Sequence, residues 1–189
     1  MATMATPEMA AYCFSVILAK LQNAPTPTCS SDIPNTPSPI FVTFKYVSNN
    51  DLRGCMGSFA FLPLHEQLHN IALVAAFKDR RFSPISLNEL PQLMCTVSLL
   101  NNFETCSKWN DWVIGTHGIW IKNKQYSSTY LPSVAVEQGF NHLKTVKSLL
   151  AKGGYHGPVD EKVLSLVQVV RYQVSCTSIT FEDTKLLKV

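Results

Sequence analysis

The sequence predicts an α+β fold, and three observations lead to it. The chain has 189 residues, of which 46% are apolar and only 15% charged, so it can bury a sizeable core and is not disordered. Strand and helix patterns are interspersed without regular βαβ units. The strands that lie close in sequence are joined by short turns, which favours antiparallel pairing. The length suits one domain or two intimate lobes.

The N-terminal quarter begins with a short tail, 1–6, which we expect to be disordered. Residues 7–22 follow as a helix that Thr6 caps, and Pro7 suits its first turn. Apolar residues cover most of the circumference of this helix, which predicts that it is largely buried. The next segment, 23–39, contains five prolines and is predicted to be an irregular surface loop.

A predicted hairpin and a helix come next. The segment 40–47 is rich in β-branched and aromatic residues and is predicted to be a strand. After the turn SNND, the segment 52–59 is predicted to pair with it as an antiparallel strand. The segment 64–77 has apolar residues at helical spacing. His65 and His69 lie beside that apolar stripe, and we interpret them as solvated or boundary residues rather than metal ligands.

The second half of the chain supplies the rest of the predicted fold. It begins with a helical turn opened by the capping box at 86–89, a central strand at 92–100 and a loop at 101–112. A hairpin formed by GIWIK and QYSSTYL follows. Two short helices are predicted within 132–154, with Ser133 and Asn141 as N-caps and Gly153 as C-cap, and a long closing strand is predicted at 162–174.

Composition also limits the function classes. The formal net charge of +3 is small, so nucleic-acid binding is not favoured. No apolar run reaches the length of a membrane span. The six cysteines are scattered and the N-terminus has no signal-peptide pattern, so we expect free thiols and an intracellular location, cytoplasmic or nuclear, rather than secretion. No cofactor or metal motif occurs. A small molecule or a protein is the expected partner, and the oligomeric state is left open.

The stretch LRGCMGSF contains the first candidate site. Gly54 and Gly57 permit a tight turn with positive φ, whose N–H groups would bind an anion next to Cys55. Arg53 beside that thiol would favour the thiolate, the nucleophilic form. The alternative is a β-bulge with a half-buried cysteine, because free cysteine is among the most buried residue types. The residues alone leave both interpretations open.

Three further patterns carry candidate residues. His117, in GTHGI, is a candidate general base or a turn histidine without a function. In FKDRRFSP, the cations either complement the end of a helix or line a cleft edge that binds an anionic group, with Asp79 orienting an arginine, Arg80 or Arg81. Glu137, in YLPSVAVEQGF, is either a surface residue or a buried acid that orients Arg53 or His117.

Taken together, these motifs resemble the AMMECR family, named after the AMME syndrome chromosomal region. LRGCMGSF is similar to the family signature. IFVTFK, AFKDRRFSPIS, ELPQLMCTVSLLNNFE, DWVIGTHGI, TYLPSVAVEQGF and LLAKGGY follow the family pattern in the same order. The resemblance runs from about Pro7 to near Tyr172 and is that of a single-domain, eukaryotic-type member. We therefore expect one AMMECR-type domain over 7–189.

The resemblance implies two unequal lobes built on antiparallel sheets, with a cleft between them. It names no reaction, and it strengthens the functional interpretation of Cys55. The first hypothesis is a cleft enzyme for acyl or alkyl transfer on a small or peptide substrate. In it Cys55 is the nucleophile, His117 the base, Asp79 or Glu137 orients that base, and Arg53 with backbone N–H groups binds an oxygen. The alternatives are a regulatory or scaffold module that binds a protein or small ligand and, less favoured, an RNA-binding module.

Overall fold

The computed structural model describes residues 3–122 and 127–186, and it confirms the α+β fold. The helices are α1 (Pro7–Leu21), α2 (Leu64–Phe77), α3 (Pro132–Glu137), α4 (His142–Lys152) and α5 (Glu161–Leu166). The strands are β1 (Ile40–Tyr46), β2 (Leu52–Ser58), β3 (Leu93–Thr105), β4 (Gly118–Lys122), β5 (Ser127–Tyr130) and β6 (Val169–Thr180). Two 3-10 helices span Leu87–Gln92 and Glu182–Leu186.

These strands form one sheet with the order β2-β1-β3-β6-β4-β5. Strand β1 pairs with β2 and β3, and β4 pairs with β5 and β6, all antiparallel. The chain divides into two compact units. Unit 1 comprises the described residues up to Leu99 and from Ser175 onward, and unit 2 comprises Leu100–Val174, so that β3 and β6 each contribute to both.

Unit 1 has a core between its helices and one face of its strands. The alternating residues Ile40, Val42 and Phe44 of β1 are buried against α1 and α2. Six successive residues of α1, from Met9 to Phe14, are buried, as its apolar circumference predicts. We call the sheet face turned away from this core the outer face. Thr43 and the other alternate residues of β1 lie on it.

Unit 2 has a separate core of nine buried residues. It is built from β4, from the first residue of β6, from the three short helices and from the loop before β4; the nine residues are Trp112, Ile119, Ile121, Ala135, Val146, Leu149, Leu150, Leu164 and Val169. Asn141 caps α4 by accepting a hydrogen bond from the N–H of Lys144, as the sequence predicts. Gly153 is the C-cap of that helix, also as predicted.

The structure corrects three predictions in the second half. The segment 162–174 is not one strand, because α5 ends at Leu166 and β6 starts only at Val169. The side chain of Asp160 accepts a hydrogen bond from the N–H of Val163, which starts a helix where an alternating pattern had suggested a strand. Strand β3 continues through 101–105, which was predicted to be a loop. Helix α3 starts at Pro132, so Leu131 and not Ser133 occupies the N-cap.

Two other predictions concern the ends of the described segments. The predicted hairpin of β4 and β5 is present, and its turn lies outside the described residues. In the N-terminal tail, Ala5 packs against the unit 1 core and donates its N–H to Ser175 Oγ at 2.9 Å. That part of the tail is therefore attached to unit 1. No helix in residues 3–122 and 127–186 is long and apolar enough to cross a membrane.

Candidate functional site

Cys55 lies on the outer face of the sheet, in the edge strand β2. Its partner in β1 is Thr43, which faces away from the core residue Val42. The Oγ1 of Thr43 donates a hydrogen bond to Cys55 Sγ at 3.2 Å. The thiol is half-buried. This contact makes Thr43 a residue of the candidate site that the sequence did not reveal.

Two residues that follow α2 clamp the backbone of Cys55. Asp79 Oδ2 accepts the Cys55 N–H at 3.0 Å, and Arg81 Nη2 donates to the Cys55 carbonyl at 3.1 Å. These contacts satisfy the polar groups that an edge strand leaves unpaired. Arg81 also donates to both carboxylate oxygens of Asp79, from Nε at 2.9 Å and from Nη2 at 2.7 Å. These hydrogen bonds from Arg81 hold the pKa of Asp79 well below its usual range.

The predicted orientation of an arginine by Asp79 therefore exists, and the arginine is Arg81. The other interpretation was that these cations complement the dipole at the end of the helix. Arg81 instead pairs with the Asp79 carboxylate, beyond the last turn of α2. Its side chain is 56% exposed, whereas that of Asp79 is 5% exposed. Arg80 is exposed, and its role in substrate binding stays a prediction.

The side chain of Arg53 makes all its observed contacts with other residues of unit 1. It is buried, and its guanidinium pairs with Glu89 and donates to the carbonyls of Ser83 and Pro84. The register shifts at Arg53, since Phe44 pairs with Gly54 and Lys45 with Leu52, so the bulge that the sequence suggested is present at this residue. The geometry thus favours a structural role for Arg53, and the cation that contacts Cys55 is Arg81, through the Cys55 carbonyl.

The two glycines of the signature do not form the predicted turn. Both lie in the extended strand β2, and the glycines with positive φ in the described residues are Gly115, Gly139 and Gly154. Consecutive N–H groups of a strand point in opposite directions, so no anion-binding nest forms here. A Cβ on Gly54 would collide with the carbonyl oxygen of Ala75 in α2, and one on Gly57 would collide with the Phe41 ring. The glycines allow close packing on both faces of β2.

A polar row crosses the outer face at the level of Cys55. Thr43 pairs with Thr96 of β3, and Thr96 Oγ1 lies 2.7 Å from Ser178 Oγ of β6. The row therefore presents one thiol and three hydroxyls across four strands, spaced by about 4.8 Å per strand. The neighbouring part of this face is aromatic, where Phe41 contacts Phe59 edge to face with ring centroids 5.7 Å apart. This surface offers polar and apolar contacts next to the thiol.

The other two predicted catalytic residues belong to unit 2. His117 Nδ1 accepts the N–H of Val113 at 3.0 Å, so the neutral ring carries its proton on Nε2. In this arrangement Nε2 is a donor, and a base function requires the turn contact to break. Glu137 is exposed at the end of α3, which corrects the alternative of a buried acid. The pairing of His117 with Cys55, the orienting role of Glu137 and the cleft stay predictions.

Unit 2 also contains an open groove of about 1060 Å³. Trp109, Leu143 and Leu166 line it together with Lys108 and Lys147. Leu166 is one of the most exposed large apolar residues of the chain, and burial raises the pKa of the Cys106 thiol at the groove. The sequence did not predict this groove because the helix α5 that supplies Leu166 was assigned to a strand.

The fold and the site define an α+β protein that presents a thiol on the outer face of an antiparallel sheet, with a carboxylate-bound arginine beside it. A sequence profile of the AMMECR1 family matches residues 10–177. The chain therefore belongs to the AMMECR1 family, as its motifs indicated.

Relatives of similar length occur in other organisms. An uncharacterized protein of Arabidopsis thaliana is 37% identical over 93% of this chain and 86% of its own length. An uncharacterized protein of Schizosaccharomyces pombe is 39% identical over 88% of this chain and 90% of its own length. The crystal structure of an uncharacterized protein from Pyrococcus horikoshii has a TM-score of 0.77 and 24% identity, covering 90% of this chain and 89% of that one. This last similarity shows the fold alone.

Proposed function

We propose that this protein is an enzyme that uses Cys55 as the nucleophile in acyl transfer on a small or peptide substrate. The observation that carries the proposal is the hydrogen bond from Thr43 Oγ1 to Cys55 Sγ, next to the Asp79–Arg81 clamp. The hydroxyl holds the sulfur in one position on the outer face, and the guanidinium of Arg81 lies against the same residue. The clamp fixes the backbone of the nucleophile, which supports a constant direction of attack.

The chemistry balances without a cofactor. The Cys55 thiol releases its proton to water, and the thiolate attacks the carbonyl carbon of the donor. The S–C bond forms, and the bond to the leaving group breaks with its electron pair, after which the leaving group takes a proton from water. Water or an amine then attacks the thioester and releases a proton to water, and the C–S bond breaks with its electron pair on sulfur, which returns the thiolate. A thioether from alkyl transfer is not readily cleaved, so turnover favours the acyl reaction.

Site-resolved alkylation tests the proposal. Iodoacetamide modification of each cysteine is followed by mass spectrometry across a range of pH. We expect Cys55 to react faster at neutral pH than Cys176, which is exposed on the same strand face as Ser178 and serves as an internal control. Thr43→Val should slow Cys55 because it removes the donor, while Thr43→Ser should retain the rate. If Cys55 reacts more slowly than Cys176, the proposed role of Cys55 as the nucleophile is wrong.

The groove in unit 2 favours a second candidate, a regulatory module that binds a protein or small ligand without turnover. Trp109, Leu143 and Leu166 give that groove the exposed apolar surface that binding sites use. The two candidates differ in their dependence on Cys55. Under the enzyme proposal Cys55→Ser abolishes the cellular function of the protein, whereas under the binding-module candidate Leu166→Asp does so and Cys55→Ser does not.

A further inference from the structure

Contacts within unit 1 hold the Arg81 side chain in place beside Cys55. Asp79 binds its Nε and Nη2, and the Cys55 carbonyl takes a second hydrogen bond from Nη2. The ring of Phe82 lies 5.5 Å from the guanidinium carbon and covers one face of it. These contacts fix the plane of the guanidinium, so that little conformational entropy is lost when it binds a ligand.

One nitrogen of this guanidinium, Nη1, takes no part in these contacts. Within residues 3–122 and 127–186, Nη1 of Arg81 makes no hydrogen bond, although the side chain is 56% exposed. Its two N–H groups are therefore available to an acceptor from outside. Nη1 can donate charge-assisted hydrogen bonds to a carboxylate while Nε and Nη2 stay on Asp79 and the Cys55 carbonyl.

The surrounding charge also favours an anion. The segment 78–81 contains three cations and one acid, and the acid is the buried Asp79, whose charge is satisfied by four N–H contacts. Lys78 and Arg80 are exposed on either side of it. The segment thus presents a net positive surface next to Cys55.

We infer that Arg81 recognises a carboxylate on the substrate and that Asp79 is the residue that positions it. The inference rests on the proposed thiol chemistry of Cys55. Arg81 donates to the carbonyl of the nucleophile itself at 3.1 Å, so a carboxylate bound to this side chain would lie next to Cys55. The substrate class is then an acyl compound with a carboxylate close to its reactive carbonyl.

Two alkylating reagents that differ in charge test this inference. Iodoacetate carries a carboxylate next to its electrophilic carbon, and iodoacetamide is its neutral counterpart. The ratio of their rates at Cys55 reports recognition of the carboxylate, because any general effect on the thiolate cancels. Arg81→Gln should lower the iodoacetate to iodoacetamide ratio about tenfold, the size of one charge-assisted hydrogen bond. Arg81→Lys should lower it less, and Lys20→Gln, which removes a distant exposed charge, should leave it unchanged.

The outcomes separate this inference from the proposed function. If Arg81→Gln slows both reagents equally, Arg81 acts on the thiolate and the carboxylate inference is wrong, while the nucleophile stands. If Cys55 is inert to both reagents, the proposed enzyme is wrong. Malonate titrated into ¹⁵N-labelled Cys55→Ser protein then decides about the anion site alone. A shift of the Arg81 Nε–H resonance that saturates supports the site, and the absence of any shift overturns it.

Discussion

Arg53 and Glu89 form an ion pair in which Nε and Oε1 lie 2.7 Å apart, and this pair joins the bulged edge strand to the 3-10 helix at Leu87–Gln92. Glu89 also accepts the hydroxyl of Tyr46 at 2.9 Å and the N–H of Ser86 at 2.8 Å. The arginine of the signature therefore organises the segment that precedes β3. Its position next to Cys55 in sequence does not make it a partner of the sulfur.

We predict that Arg53→Met lowers the free energy of unfolding by about 3 kcal/mol, because it removes the paired charge of the Glu89 carboxylate and the donor of two carbonyls. Urea denaturation followed by circular dichroism measures this change. Arg80→Gln removes the same charge from an exposed position and should change stability by less than about 0.5 kcal/mol. Equal losses in the two variants would show that Arg53 contributes only its charge.

The same ion pair predicts sensitivity to acid. Hydrogen bonds from Arg53 lower the pKa of Glu89 from 4.5 to about 2. A carboxyl group whose pKa is lower in the folded state stabilises the fold fully above its unfolded value, and this contribution is lost as the pH falls toward the folded value. We therefore expect Tm to fall between about pH 4.5 and 2, and Glu89→Gln to make that fall shallower. Glu66→Gln, at an exposed position of α2, should keep the wild-type slope.

The glycines of the signature give a matched pair of substitutions. At Gly54 a Cβ meets the Ala75 carbonyl, which belongs to the backbone of α2 and cannot move alone. At Gly57 it meets the Phe41 ring, which can rotate away. We predict that Gly54→Ala destabilises the protein by about 2 kcal/mol and that Gly57→Ala costs less. Thermal unfolding of both variants checks the order, and a larger loss at Gly57 would mean that the Phe41 ring is held more rigidly than α2.

The sequence predicted the first half of the fold well because its patterns there have one interpretation. The helix predicted at 64–77 agrees with α2 at both ends, and the strand predicted at 40–47 differs from β1 by one residue. In the last part of the chain the apolar residues of 162–174 fit two periods. Asp160 decides for a helix through its hydrogen bond to Val163, which is a local signal that the prediction overlooked. The residues of β6 beyond Val174 are mostly polar and only partly buried. They therefore lack the run of apolar residues that would have predicted a strand.

Three residues that meet at the candidate site were named from the sequence, and most of their contacts were not. Cys55, Asp79 and Arg81 were all named, because an acid between cations after a helix suggests an oriented arginine. Arg53 was expected to act on the Cys55 thiol because a turn was predicted at the two glycines. A bulge forms at Arg53 instead, and it depends on how β2 pairs with β1. Glu89 was identified only as part of a capping box, and no local pattern connects it with Arg53. Thr43 became a site residue only through the register of β1 against β2.

The last prediction concerns Val97, which the sequence places in a central strand. It lies in β3, between β1 and β6 in the sheet, and its side chain is fully buried in the unit 1 core. Val97→Asp would place an unpaired charge among apolar side chains, at a cost of several kcal/mol, which is a large part of the stability of a domain. We expect this variant to be insoluble or to lack a cooperative thermal transition. Val47→Asp, at an exposed position just after β1, should fold and melt like the wild type. A soluble Val97→Asp protein with a cooperative transition would contradict the buried position of this strand.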